Sequence, residues 1–213
     1  MESIKDIIIV GAGIFGLSTA IALAERYRDR TIHVFDRFEP PVPDGSSVDT
    51  TRCIRFDYKD ETYCKLAHES MILLKADPVI SKFFHQHGMT FVYDGNHDIW
   101  EDIYFSSKFS AERVNEREEG KMAYYNTAED VFRSIHSRIP TSVEDSKLGR
   151  VKRWNKGYTN SANGFIDASA SMKAYYERAK KFPNVNFRFE EVEKMDYLKN
   201  TEGSQRCRFE KWI

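Results

Sequence analysis

Four apolar residues, Ile7-Ile8-Ile9-Val10, run directly into Gly11-Ala12-Gly13-Ile14-Phe15-Gly16. The apolar run has the length and β-branching of a buried strand. The spacing that follows predicts a helix over Leu17–Arg28 and a second strand over Thr31–Phe35, ending on Asp36, 20 residues past Gly16. Strand, G-x-G-x-x-G, helix, strand and terminal acid together form the dinucleotide-binding fingerprint. Gly11 allows the tight turn, Gly13 lets backbone approach a pyrophosphate, and Gly16 lets helix and strand pack closely. The helix start, with Ile14 and Phe15, offers unpaired N–H groups and the positive end of a dipole to phosphates. Asp36 suits a ribose diol. NAD, NADP and FAD share this pattern. The Asp36 carboxylate disfavours a 2′-phosphate, an argument that the adjacent Arg37 weakens slightly.

The chain has 213 residues and a formal charge of -1, so no strong field points to nucleic acid or to an anionic membrane. Three cysteines, Cys53, Cys64 and Cys207, show neither a C-x-x-C spacing nor an even count. A disulfide framework and a zinc site are therefore not expected, and a reducing, cytoplasmic setting is the default. The apolar N-terminal stretch lacks a basic flank and is broken by glycines, unlike a signal peptide. No segment approaches the roughly 18 apolar residues of a membrane span. The C-terminus does not resemble a peroxisomal tripeptide.

Along the chain, Phe38 to Gly45 holds three prolines and predicts a loop, which Ser46 to Arg55 continues. Asp60 is placed to cap a helix starting at Glu61, with apolar residues recurring at helical spacing to Leu74 and a stop at Asp77-Pro78. A shorter helix is predicted from Pro78 through Phe84, and a strand over Met89–Tyr93 with a turn at Asp94-Gly95-Asn96. Residues 97–135 are polar, with short helical stretches such as Ala128–Ile135 capped by Thr127. Loop is expected over Pro140–Arg150 and strand over Val151–Tyr158. Asp167 caps a strong helix over Ala168–Lys181, and strands follow over Val185–Phe189 and Val192–Leu198. The expected class is α/β, α+β overall: a Rossmann-type βαβ start, a long excursion, and a helix–strand return. The expected segments are a cofactor-binding first segment over 1–60, a helical and substrate-domain segment over 61–150, and an incomplete return over 151–213. An uninterrupted NAD domain would keep alternating strand and helix, so the excursion favours FAD.

Ser46-Ser47-Val48-Asp49-Thr50-Thr51-Arg52-Cys53-Ile54-Arg55 packs hydroxyls and two guanidiniums into ten residues. Arginine is a planar, permanently charged clamp for a carboxylate. A cation beside the flavin N1–C2 carbonyl stabilises the reduced ring. A solvated polar loop explains the same composition equally well. His85-Gln86-His87 has metal-like spacing only on a strand, and its expected place at a helix end makes it a solvated face, with no metal expected. Arg113–Lys121 reads as an exposed helix of mixed charge. Tyr124-Tyr125 and Tyr175-Tyr176 read as packing residues.

The fingerprint, the Ser-Ser-x-Asp-x-Thr-Arg-x-Ile-Arg segment and the stretch Lys156-Gly157-Tyr158-Thr159-Asn160-Ser161-Ala162-Asn163-Gly164-Phe165-Ile166-Asp167-Ala168 fall in one order and spacing. In this the chain resembles the FAD-dependent amine oxidases of the D-amino-acid-oxidase superfamily. The nearest branch holds monomeric sarcosine oxidase, L-pipecolate and saccharopine oxidases, and fungal fructosyl amino acid oxidases. The resemblance implies that Gly11, Gly13 and Gly16 hold the FAD pyrophosphate and Asp36 the adenosine ribose. It implies that Ser46, Ser47, Thr51 and Arg52 line the flavin ring and that Val192 meets adenine through its backbone. Arg52 and Arg55 become the candidate catalytic residues, with Arg55 pairing the carboxylate of an N-substituted amino acid. The implied reaction oxidises the C–N bond of a secondary amine, with O₂ as acceptor giving H₂O₂. The resemblance covers the N-terminal half of such enzymes, which also carry a later lysine and cysteine at the flavin. Cys53, Cys64 and Cys207 lie in the wrong region to replace that cysteine. The expectation is thus an N-terminal portion that alone binds FAD poorly and turns over little. A related FAD oxidase or dehydrogenase of secondary metabolism, without need of Arg55, is an alternative, as is a catalytically inactive remnant.

Overall fold

The computed structural model describes residues 6–93, 108, 122–136, 154–199 and 205–210, with residues 194–199 and 205–210 described by backbone only. The expected turn at Asp94-Gly95-Asn96, the charge run Arg113–Lys121 and the loop Pro140–Arg150 lie outside these residues. The chain divides into two compact units, Met1–Arg52 with Asp167–Ile213, and Cys53–Ile166.

In the first unit, strand β1 (Asp6–Val10) leads through the glycine turn into helix α1 (Ile14–Arg26), which returns to strand β2 (Thr31–Asp36). The helix begins three residues earlier than the spacing predicts, because Gly13 serves as its N-cap. β1 pairs with β2 in parallel, Ile7 opposite Ile32 and Ile9 opposite Val34. Much further along the chain, helix α4 (Ala168–Ala179) feeds strand β9 (Val185–Phe189), which pairs in parallel with β2 on its other edge. The sheet order is β1-β2-β9. Parallel neighbours need such helical crossovers, and the helices must cover a sheet face. Leu17, Ala20, Ile21 and Ala24 of α1 meet Ile32 and Val34 of β2 and Met172, Tyr176 and Ala179 of α4 in one buried cluster. The alanines along α1 keep the helix–sheet gap small, while each fully buried Leu or Ile contributes about 1.5–3 kcal/mol. Strands β10 (Lys194–Lys199) and β11 (Gln205–Glu210) form an antiparallel pair. The first begins two residues later than expected, and the sequence reading did not place the second.

The second unit opens at the end of β3 (Thr51–Ile54), a strand where continuing loop is expected. Helix α2 (Glu61–Ala76) follows, and its Asp60 cap accepts hydrogen bonds from the Thr62 and Tyr63 N–H groups. Asp77 ends it as anticipated. The helix predicted through Phe84 is a short 3-10 turn, Ile80–Phe83, running into a two-residue strand β4 (Phe84–His85). β5 (Met89–Tyr93), β6 (Met122–Tyr125) and β7 (Lys156–Asn160) form an antiparallel sheet of order β5-β7-β6. β6 lies in a span expected to be polar with short helical stretches, where no strand is expected, and β7 starts five residues later than predicted. Helix α3 (Ala128–His136) begins after Thr127, whose hydroxyl accepts from the Asp130 N–H. Strand β8 (Gly164–Asp167), absent from the sequence reading, pairs antiparallel with β4. Phe56, Met71 and Ala162 form a small core, with Ile54, Leu74 and Phe84 packed against it. Among the described residues, no helix is long and apolar enough to cross a membrane.

Candidate functional site

Gly11 adopts φ +99, a conformation that L side chains rarely take, and its N–H donates to the Phe35 carbonyl at 2.7 Å. A Cβ on Gly16 would lie 1.8 Å from the Gly11 carbonyl oxygen, so the helix approaches the turn as closely as a hydrogen side chain allows. Gly13 caps α1 with no side-chain hydrogen bond, and the first turn holds no acid. The positive end of α1 therefore lacks a protein anion of its own. The Ile14 N–H donates to the Ser47 hydroxyl at 3.3 Å, which draws the 46–52 segment to the helix start. Ile14 and Phe15 are exposed, the latter at 86%, so the helix start can serve a ligand through its backbone N–H groups.

Asp36 closes the turn from the β2 side. Its Oδ2 accepts the Ala12 N–H at 2.6 Å and its Oδ1 the Arg37 N–H at 2.7 Å. Each carboxylate oxygen keeps a further lone pair for a ligand. Arg37 is turned to Asp44 at 2.5 Å, with its guanidinium over the Phe38 ring. Two cavities flank Asp36. One, of ≈ 200 Å³, is bordered by Gly13, Asp36, Ser46 and Ser47. The other, of ≈ 210 Å³, is bordered by Val10, Gly11, Asp36, Arg37 and Val192.

Arg52 clasps its own loop. Its Nε donates to the Ser46 carbonyl at 2.8 Å, and it donates through Nη1 to the Thr51 carbonyl at 3.3 Å and to the Asp49 carboxylate. The Arg52 guanidinium holds the Asp49 carboxyl below the usual aspartate range. The Asp49 carbonyl in turn accepts the Ser169 N–H at 3.2 Å and its hydroxyl at 2.9 Å, at the start of α4. Thr51 is exposed and borders neither cavity.

Arg55 belongs to the second unit and is described there alone. It is half-buried, with its guanidinium 5.1 Å from the Tyr58 ring centroid and 5.9 Å from that of Phe91. Its hydrogen bond runs from Nη1 to the Asp57 carbonyl at 3.3 Å, and among the described residues no carboxylate pairs with it. Beside it lies a buried network that sequence reasoning missed. Asp57 is 4% exposed, and its carboxylate accepts from the Asn160 amide at 3.1 Å and the Asn163 amide at 2.5 Å. The available signal was two amide side chains, Asn160 and Asn163, three residues apart in the Lys156–Ala168 stretch. Burial, then the Asp57 charge, push the Tyr158 hydroxyl well above the ordinary phenol range. His85 lies on a strand rather than at a helix end, and His85 and His87 both stack on Phe165. Among the described residues, no group of three or more His, Cys, Asp or Glu could hold a metal.

The helix start, the positive-φ turn and Asp36 between two cavities are the geometry of a dinucleotide-binding fold. Residues 6–207 match the FAD dependent oxidoreductase (DAO) family, and the chain belongs to that family. It is 29% identical over 197 residues to the amino acid oxidase imqH of Aspergillus flavus, an alignment covering 81% of this chain and 39% of that protein. It is 30% identical over 164 residues to L-saccharopine oxidase of Schizosaccharomyces pombe, covering 74% and 36%. Among solved structures, amadoriase I of Aspergillus fumigatus matches with a TM-score of 0.65 at 22% identity, covering 97% of this chain and 47% of that one. At that identity the likeness establishes the fold alone. The chain spans less than half the length of these relatives.

The residues present fit the nucleotide end of FAD. A pyrophosphate suits a helix whose first turn carries no acid, and the first turn of α1 carries none. A ribose needs a fixed carboxylate, and two backbone N–H groups fix Asp36. A 2′-phosphate would face Asp36 and Asp44, with Arg37 already paired to the latter, which sets NADP aside.

Proposed function

We propose that this chain supplies FAD binding and substrate-carboxylate recognition to an oxidase of carboxylated secondary amines. The overall reaction converts amine, O₂ and water into a shorter amine, a carbonyl compound and H₂O₂. FAD, when bound, supplies the two-electron acceptor that O₂ reoxidises. The chain's own residues bind and orient. Gly11, Gly13, Gly16 and the Ile14 and Phe15 backbone cradle the pyrophosphate, Asp36 the ribose, and the Val192 backbone the adenine. Ser46, Ser47, Thr51 and Arg52 form the loop offered to the flavin ring.

One observation carries the substrate assignment: Arg55 is a half-buried cation against two aromatic rings, with one hydrogen bond and no carboxylate partner among the described residues. A guanidinium desolvated in this way binds a carboxylate bidentately, and the rings exclude the water that would weaken the pair. The L-saccharopine oxidase and amino acid oxidases among the relatives carry names of carboxylated amines, which supports the same chemistry.

The test measures H₂O₂ release by the FAD-loaded protein from N-methylglycine and other N-substituted amino acids, and from their amides. Arg55→Ala is expected to lower kcat/KM for the acids by about ten- to hundredfold, the worth of one charge-assisted hydrogen-bonded pair. The amides should be nearly unaffected. Equal losses on acids and amides would remove the carboxylate role. FAD bound in stoichiometric amount without turnover would reduce the proposal to cofactor binding.

A further inference from the structure

The chain just past the Ser46–Arg55 segment meets the Lys156–Ala168 stretch at one buried carboxylate. Asp57 lies two residues after Arg55, while Asn160 and Asn163 lie more than a hundred residues later. Both Asp57 oxygens accept from those two amides. The amide oxygens are used as well: that of Asn160 accepts the Ala162 N–H at 3.1 Å, and that of Asn163 accepts the Phe56 N–H at 3.4 Å. The Asn163 carbonyl accepts the Gly88 N–H at 2.9 Å. The Arg55–Asp57 segment is thereby tied to the β7–β8 turn at a side chain and at a backbone N–H.

Asn160 also ends β7, opposite Met89 of β5, and Phe91 stands opposite Tyr158 in the same ladder. Phe91 is one of the two rings under Arg55, and Tyr158 stacks on it at 5.0 Å. Asp57 therefore sets the segment bearing the guanidinium against the sheet bearing the ring on which the guanidinium rests. Burying a carboxylate with only amide donors is unfavourable for stability unless every lone pair finds a donor. A fold that needed only packing here would be served by an apolar residue.

We propose that Asp57 is a positioning residue, which fixes the Arg55 guanidinium for the substrate carboxylate through the Asn160 and Asn163 amides. The inference rests on the carboxylate reading of Arg55. Asp57→Asn keeps shape and volume but turns one acceptor into a donor aimed at another amide donor. The double variant Asp57→Asn with Asn160→Asp restores a donor for every acceptor: the new amide donates to the new carboxylate and still accepts from Asn163.

The experiment titrates the FAD-loaded protein with N-methylglycine and with its amide, following binding by calorimetry, for wild type, Asp57→Asn, the double variant and Arg55→Ala. The Arg55 Nε–H signal is recorded by NMR in the same samples. Asp57→Asn should weaken the acid by about tenfold and the amide by less than about twofold, with the double variant regaining most of the loss. Exchange of the Arg55 Nε–H should quicken and its signal broaden in the single variant, and both should return toward wild type in the double. A single variant that binds the acid normally, or that loses acid and amide alike, overturns the inference, as does an Arg55 signal unchanged by Asp57→Asn. If Arg55→Ala binds the acid normally, the carboxylate reading fails, and the NMR signal alone then decides whether Asp57 fixes Arg55. Should Asp57→Asn fail to fold, Asn160→Ser takes its place. It removes one donor and should produce the same acid-selective loss in smaller degree; an equal loss on both probes counts against the inference.

Discussion

Single residues in the first turn are set by contact distances that leave no room for substitution. Gly16 is the sharpest case, since a Cβ would meet the Gly11 carbonyl at 1.8 Å, and that atom is backbone rather than a flexible side-chain end. Gly16→Ala is expected to push α1 off β1 and destabilise the protein by about 1–3 kcal/mol, the usual range for overpacking. A lowered urea midpoint would show it, and an unchanged midpoint would mean that the turn relaxes at no cost. This constraint was legible in the sequence, because G-x-G-x-x-G encodes a steric requirement between near neighbours. Asp57 was not legible. Its meaning depends on two asparagines that reach it only after the intervening chain has folded. Arg52 was legible only in part: its composition suggests a free cation, whereas Ser46, Asp49 and Thr51 each take one of its donors.

Secondary-structure elements followed the sequence wherever a local cap or a long period announced them. Asp60 and Asp167 cap α2 and α4 from the predicted positions, with Asp167 accepting the Ala170 N–H at 2.9 Å. Asp60→Ala removes the acceptor of two helix N–H groups. It should cost about 1 kcal/mol in chemical denaturation, while Asp60→Asn or Asp60→Ser retains most of the stability. An alanine variant as stable as the serine variant would show that packing alone holds the end of α2. The elements that sequence reasoning missed are strands, most of them short. β4 has two residues and β8 has four, too few to display a period, and β8 lies between β3 and β4, so each is fixed by long-range pairing. β6 was hidden for the same reason, since its place beside β7 is a long-range pairing.

At the scale of the molecule, cofactor binding is the function nearest to the fingerprint, and ligand linkage makes it measurable without turnover. FAD that binds the folded chain alone should stabilise it by about 2.7 kcal/mol at a hundredfold excess over Kd. The shift should appear as a raised melting temperature with added FAD and should be largely lost in Asp36→Ala, which removes the proposed ribose ligand. A shift that survives Asp36→Ala would place the ribose elsewhere. The comparison isolates the first unit, because Gly11, Asp36 and Val192 all lie in it.

The sequence by itself determined the βαβ start, the capped helices, the α/β class and the family, because each rests on contacts between residues close in the chain or on spacings fixed by one strand–turn–helix. Tertiary structure alone decided what borders the two cavities at Asp36, how the Arg52 loop is fastened to the start of α4, and that Arg55 stands on aromatic rings beside a buried Asp57. Those arrangements join segments that are dozens to more than a hundred residues apart. Only a folded backbone fixes such distances, and the strength of a polar contact depends on the burial that folding creates.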